Sequence, residues 1–120
     1  MKAQDIPTPL ESLPDKPSQE QIKQAVNYVM SYNDLDESFY RVAECESNFY
    51  YYAYGDYDRK SKTYKAYGIF QFHKPTWNYF QKLSGLKLNY YSTKDQIKMA
   101  LWAWKNGKQN HWSCWLRLYK

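Results

Sequence analysis

The chain has 120 residues, 20% of them aromatic, with 17 basic against 12 acidic side chains and a net charge of +5. That length fits one domain with a real but not generous core, and no run of about 18 apolar residues is present to span a membrane. The basic excess favours an acidic partner such as nucleic acid, anionic lipid or cell-wall polymer, although its one dense run, Arg59-Lys60-Ser61-Lys62, reads as a solvated loop.

Residues 1–17 hold four of the five prolines and are expected to form an extended arm or linker ahead of a domain over 18–120. The N-terminus lacks an apolar signal core. Either the protein stays in the cytosol or a signal segment has been removed. Ser18 opens a helix, with Gln21 as its capping-box partner. Ile22, Ala25, Val26 and Val29 form its apolar stripe, and Tyr32-Asn33-Asp34 ends it. Asp36 is the expected N-cap of a second helix, carried by Phe39, Val42 and Ala43 and ending near Ser47-Asn48. Glu46 therefore falls in a last turn, facing the negative end of the helix dipole, which raises a carboxyl pKa. That is a poor place for a structural acid and a good one for a proton donor.

Residues 50–72 alternate aromatic and polar side chains around Gly55-Asp56 and Arg59–Lys62, which predicts one or two short antiparallel hairpins. Pro75 is the expected first residue of a helix through Trp77, Phe80 and Leu83, closed by Gly85. Thr93 and Gln96 suggest another capping box, with Ile97, Ala100, Leu101 and Trp104 on one face and Gly107 at the end. The tail 109–120, with Trp112, Cys114 and Trp115, is expected to pack back as a short helix. The whole reads as α+β, mostly α, with a small sheet inserted after the second helix.

Fourteen Tyr, five Trp and five Phe are the compositional anomaly. Most of these rings are expected to fill a small core. The remainder suit stacking on sugar faces or on bases. Two cysteines cannot build a four-thiolate zinc site, and His73 and His111 lack metal-type spacing, so neither metal nor cofactor is expected. Cys45 and Cys114 are either a disulfide, with a stabilisation of roughly 4 kcal/mol, or two reduced thiols of a cytosolic protein. A helix-end acid roofed by aromatics suits protonation of a glycosidic oxygen. Gly68 lets backbone approach a ligand, and Gln71 offers hydrogen bonds to sugar hydroxyls.

The run Ala43-Glu44-Cys45-Glu46-Ser47-Asn48-Phe49, then Tyr67-Gly68-Ile69-Phe70-Gln71-Phe72 and Pro75-Thr76-Trp77, resembles the lysozyme-like superfamily. It is most similar to small transglycosylase-like domains, which include lytic transglycosylases and resuscitation-promoting factors. Ala103-Trp104-Lys105-Asn106-Gly107 and Trp112-Ser113-Cys114-Trp115 resemble the closing part of such domains, so the likeness spans about residues 36–116. It implies a lysozyme-like fold and cleavage of the β-1,4 bond between N-acetylmuramic acid and N-acetylglucosamine. Glu46 matches the catalytic acid, Ser47 its support, and Tyr67, Gly68 and Gln71 the groove strand, with Trp77 and Trp104 as further substrate contacts. The likeness also implies a Cys45–Cys114 disulfide, a secreted or cell-envelope location, and a monomer whose partner is peptidoglycan, without nucleic acid.

One departure matters. Animal-type lysozymes place an Asp just before the Tyr-Gly, where this chain has Ala66. Asp56 and Asp58 are alternatives for a second carboxylate, but both read as turn residues. Glu44 points away from Glu46 on a helix, and His73 reads as a polar surface residue. A single carboxylate suits a lytic transglycosylase. A hydrolase on the same bond, a non-catalytic wall-binding module and a nucleic-acid binder are the competing readings.

Overall fold

A computed structural model describes residues 7–120. Among these, five α-helices and one three-stranded antiparallel sheet make up the regular structure, apart from one short 3₁₀ turn. The elements run α1 (Gln19–Tyr32), α2 (Ser38–Ser47), β1 (Tyr54–Asp58), β2 (Thr63–Tyr67), β3 (Phe72–His73), α3 (Lys74–Ser84), α4 (Thr93–Lys105), the 3₁₀ turn Gln109–His111 and α5 (Ser113–Tyr119). The α+β, mostly helical reading holds, with the sheet where it was expected, after α2.

Helix α1 starts on the predicted box: the Ser18 hydroxyl accepts from Gln21 N–H, and Gln21 Oε1 accepts from Ser18 N–H. Its stripe Ile22, Ala25, Val26 and Val29 is buried. Helix α2 begins at Ser38, one residue later than an Asp36 cap allows. Asp36 still takes the Ser38 N–H at 2.8 Å. Helix α3 begins at Lys74, which puts Pro75 at its second position, and Gly85 closes it at φ +75°. The proline-rich arm is not free over its described part. Leu10 is buried in the main core, Leu13 packs against it, and Glu11 pairs with Lys94 and Lys98 at 3.9 Å each. Its residues 1–6 lie outside the described residues.

The capping box at Thr93 does not form. Ser92 is the N-cap and accepts from Asp95 N–H, because Gln96 has another task. Buried on α4, Gln96 donates to the carbonyls of Tyr67 and Tyr90, both at 3.0 Å, and its Oε1 lies 3.4 Å from Phe70 N–H. Tyr67 ends β2, Phe70 lies in the irregular stretch that follows it, and Tyr90 lies in the loop before α4, so one side chain satisfies main-chain groups of separate segments. Gly68 makes the arrangement possible. Its φ is +86°, and a Cβ there would sit 2.4 Å from the Gln96 amide. Gly68 thus makes room for a core side chain, not for a ligand. Gly68→Ala is expected to cost about 2–4 kcal/mol, from left-handed strain plus a broken buried hydrogen-bond hub, read as a lower denaturation midpoint.

The rings expected in a groove are largely interior. Trp77 is 1% and Trp104 5% exposed. Trp77 meets Phe72 edge-on at 5.0 Å, and Trp104 packs on Phe39 at 5.4 Å and Trp112 at 4.9 Å. A buried indole needs a partner for its N–H. Trp104 donates to Ser38 Oγ and Trp112 to the Phe70 carbonyl, each at 2.8 Å. Trp77 and Trp104 are therefore corrected from substrate contacts to core.

Candidate active site

Helix α2 ends abruptly. Asn48 and Phe49 both take left-handed backbone, at φ 51° and 62°, and the chain turns back over the helix end. Ser47 holds this reversal. Its buried hydroxyl accepts from Phe49 N–H at 3.2 Å and lies 2.8 Å from the Ile69 carbonyl and 3.1 Å from that of Ala43. It ties the helix end to the segment before β3 and so supports Glu46 without lining the cleft.

Glu46, half-buried, opens on a cleft of about 220 Å³. Asp56, Gln71, His73, His111 and Trp112 share its walls. Glu46 Oε2 accepts from Cys114 N–H at 3.3 Å, so the start of α5 fixes the carboxyl's position. Its pKa is raised above the ordinary 4.5. Burial is the main cause and the Asp56 charge adds to it. The Cys114 N–H, Arg117 and His73 act the other way. The direction is that expected from the last-turn position, but loss of solvent leads.

The Cys45–Cys114 disulfide is present, with Cα atoms 6.1 Å apart. It clamps α5 to the residue preceding Glu46. Arg117 Nη2 lies 3.4 Å from Cys114 Sγ, over the bridge.

Asp56 departs from its turn reading. It lies within β1 at φ 53°, and its Oδ2 is 2.6 Å from His73 Nε2 on β3. Between the two strands runs β2, where Ala66 pairs with Gly55 on one side and His73 on the other. A small residue at that point lets the carboxylate and imidazole meet across the middle strand. Asp58 keeps the turn role. It accepts from Lys60 N–H and the Ser61 hydroxyl, which lower its pKa, and it pairs with Lys65 at 3.3 Å.

Gln71 reaches the cleft with φ +50°, but both amide hydrogens go to main chain, at Ala53 O (2.9 Å) and Gly68 O (2.8 Å). Only its carbonyl oxygen remains as an acceptor. Gly55 leaves space for it, since a Cβ there would lie 2.1 Å from Oε1. Tyr67 does not line the Glu46 cleft. It lines a neighbouring groove with Tyr54 and Tyr91. Of the predicted contacts, then, Glu46 and Gln71 meet in one cleft, with Asp56 and His73 as additions. The only sequence signal for those two was their residue type.

A raised carboxyl pKa has a thermodynamic signature. Glu46 holds its proton more tightly folded than unfolded, so its contribution to stability falls as pH rises from 4.5 through the folded value. Gln at this position has no proton to lose. Glu46→Gln is expected to melt higher than the parent at neutral pH, with the gap closing as pH falls through the folded value towards 4.5. Thermal melts of both proteins across pH check this; a gap that widens in acid contradicts it.

Among the described residues, no group of three or more His, Cys, Asp or Glu converges as a metal site, and no helix is long and apolar enough to cross a membrane. Comparison of the chain with protein-family models, with curated proteins and with solved structures finds no match.

Proposed function

We propose that this chain is a lysozyme-like enzyme that cleaves the β-1,4 bond between N-acetylmuramic acid and N-acetylglucosamine in peptidoglycan. The observation that carries the reading is Glu46: a half-buried carboxyl with a raised pKa, held at a helix end, on the wall of a cleft. The order and spacing of the Glu-Ser, Tyr-Gly-Ile-Phe-Gln-Phe and Thr-Trp segments support the family assignment. The disulfide supports an oxidising location, either secreted or in the cell envelope.

Protonated Glu46 delivers its proton to the leaving glycosidic oxygen as the C–O bond breaks, and positive charge develops on the sugar ring. In the transglycosylase route the Glu46 carboxylate then takes the proton of the sugar's own hydroxymethyl. That oxygen closes on the anomeric carbon and leaves an anhydro end. One carboxylate is enough. Activity by this route declines as pH rises through the Glu46 pKa, because the free enzyme loses its acid.

A second reading is hydrolysis, favoured by Asp56. This carboxylate shares the cleft with Glu46, and His73 holds it in place at 2.6 Å. Asp56 then either steadies the developing charge or takes a proton from an attacking water.

Mass spectrometry of purified peptidoglycan after digestion separates the routes. Anhydro-ended products, lighter by one water, from both the parent and Asp56→Asn mean a transglycosylase. Ordinary reducing ends that disappear with Asp56→Asn mean a hydrolase. No products from the parent protein would overturn the enzymatic reading and leave a non-catalytic wall-binding module.

A further inference from the structure

Beside the Glu46 cleft lies a second groove of about 410 Å³ that catalysis does not use. Its walls are mostly tyrosine. Tyr54 and Tyr64 come from the β1–β2 hairpin, and Tyr91 from the loop before α4. They are 61%, 55% and 61% exposed. A single exposed Tyr is unremarkable on a protein surface. These are continuous: Tyr64 to Tyr54 at 5.8 Å, Tyr54 to Tyr67 at 5.1 Å, Tyr67 to Tyr91 at 5.3 Å between ring centroids.

Charge and connection narrow what such a surface fits. No carboxylate lines the groove. Lys74 Nζ sits 5.4 Å from the Tyr91 ring centre, and among the described residues it has no acidic partner within salt-bridge distance. Lys65 lines the groove too, though Asp58 pairs with it. His73 lines both this groove and the Glu46 cleft, so the two adjoin at that side chain.

We propose that this tyrosine groove is a second glycan-binding subsite, which holds the continuation of a polymeric amino-sugar strand whose scissile bond lies at Glu46. The identity of the ligand rests on the glycosidase reading above. Pyranose rings present apolar C–H faces that stack on tyrosine, and the hydroxyl tips bond sugar oxygens. Lys74 meets the carboxylates that stem peptides carry along such a strand. A subsite of this kind holds the enzyme on an insoluble polymer between cuts.

The test uses binding and not turnover, in the full chain carrying Glu46→Gln. The probes are purified peptidoglycan sacculi by co-sedimentation, soluble N-acetylglucosamine hexamer by titration, and a single-stranded oligo-dT. Tyr54→Ala, Tyr64→Ala and Tyr91→Ala together are expected to weaken binding to sacculi and to the hexamer by about tenfold or more. The same three positions as Phe keep the rings and are expected to stay within about threefold of the parent. Lys74→Glu keeps every ring, so it tests the charge of the groove separately from its aromatic walls. It is expected to weaken sacculus binding several-fold and hexamer binding little. Tyr32→Ala, an exposed ring away from the groove, is the control and leaves both unchanged.

Unchanged sacculus binding by both the triple Ala variant and Lys74→Glu overturns the subsite. So does tight, salt-sensitive oligo-dT binding that depends on the same rings while sacculi are not bound, which would make the groove a nucleic-acid surface. Ring-dependent sacculus binding in a protein whose parent yields no cleavage products overturns the enzyme reading alone. Cleavage with ring-independent binding overturns the subsite alone.

Discussion

Glu46→Gln is expected to release soluble fragments from purified peptidoglycan about a thousandfold more slowly than the parent, the middle of the range for loss of a positioned general acid. The substitution is close to a pure removal of the proton. Gln keeps the shape of Glu and a carbonyl oxygen that can accept the Cys114 N–H now held by Glu46 Oε2. The Ser47 anchor to Ile69 and the disulfide are untouched. The fold should therefore persist, and the variant should be less active yet more thermostable at neutral pH. That pairing distinguishes a catalytic acid from a structural one, whose removal costs stability. Undiminished clearing of wall material by Glu46→Gln would end the assignment, whatever its melting temperature.

The second large effect lies in the disulfide. Cys45 and Cys114 are 69 residues apart in sequence, and closing a loop of that length lowers the unfolded chain's entropy by an amount worth about 4 kcal/mol. Small domains have only about 5–15 kcal/mol in total. Cys45→Ser with Cys114→Ser is expected to melt roughly 10–20 °C lower than the parent, as is the parent under reducing conditions. Activity should fall as well, before global unfolding. Helix α5 has seven residues, too few to be stable alone. The bridge holds it against α2, and through it the Cys114 N–H that positions Glu46. Melts with and without reductant, read beside turnover at a temperature where both forms are folded, check the two effects. Two titratable thiols in the unfolded, unreduced protein would remove the bond from the account.

Much of the scaffold was legible because its signals are local. The Ser18–Gln21 box, the stripe from Ile22 to Val29 and the stop at Gly85 each depend on residues within a few positions of one another. Glu46 was legible for the same reason, since a helix end and an acid in its last turn sit in one short stretch. The cap of α4 was misread, because the expected Thr93–Gln96 box overlooked the neighbouring Ser92. Ser92 and Thr93 are both good caps, and Ser92 prevailed because Gln96 is taken by Tyr67, Tyr90 and Phe70.

Residue order alone thus determined which segments are helical, where the sheet is inserted and which carboxyl stands at a helix end, because periodicity and capping act over three or four residues. Only the tertiary structure decided which polar groups face the cleft. Asp56 meets His73 across β2, and Gln71 gives both amide hydrogens to main chain. Gly68 yields its space to Gln96, and Trp77 and Trp104 turn into the core. The direction of each of those side chains depends on a partner from 3 to 66 positions away, Gly68 from Gln71 being the nearest and Ser38 from Trp104 the farthest. The more distant of those partners are in place only once the helices and the sheet have packed.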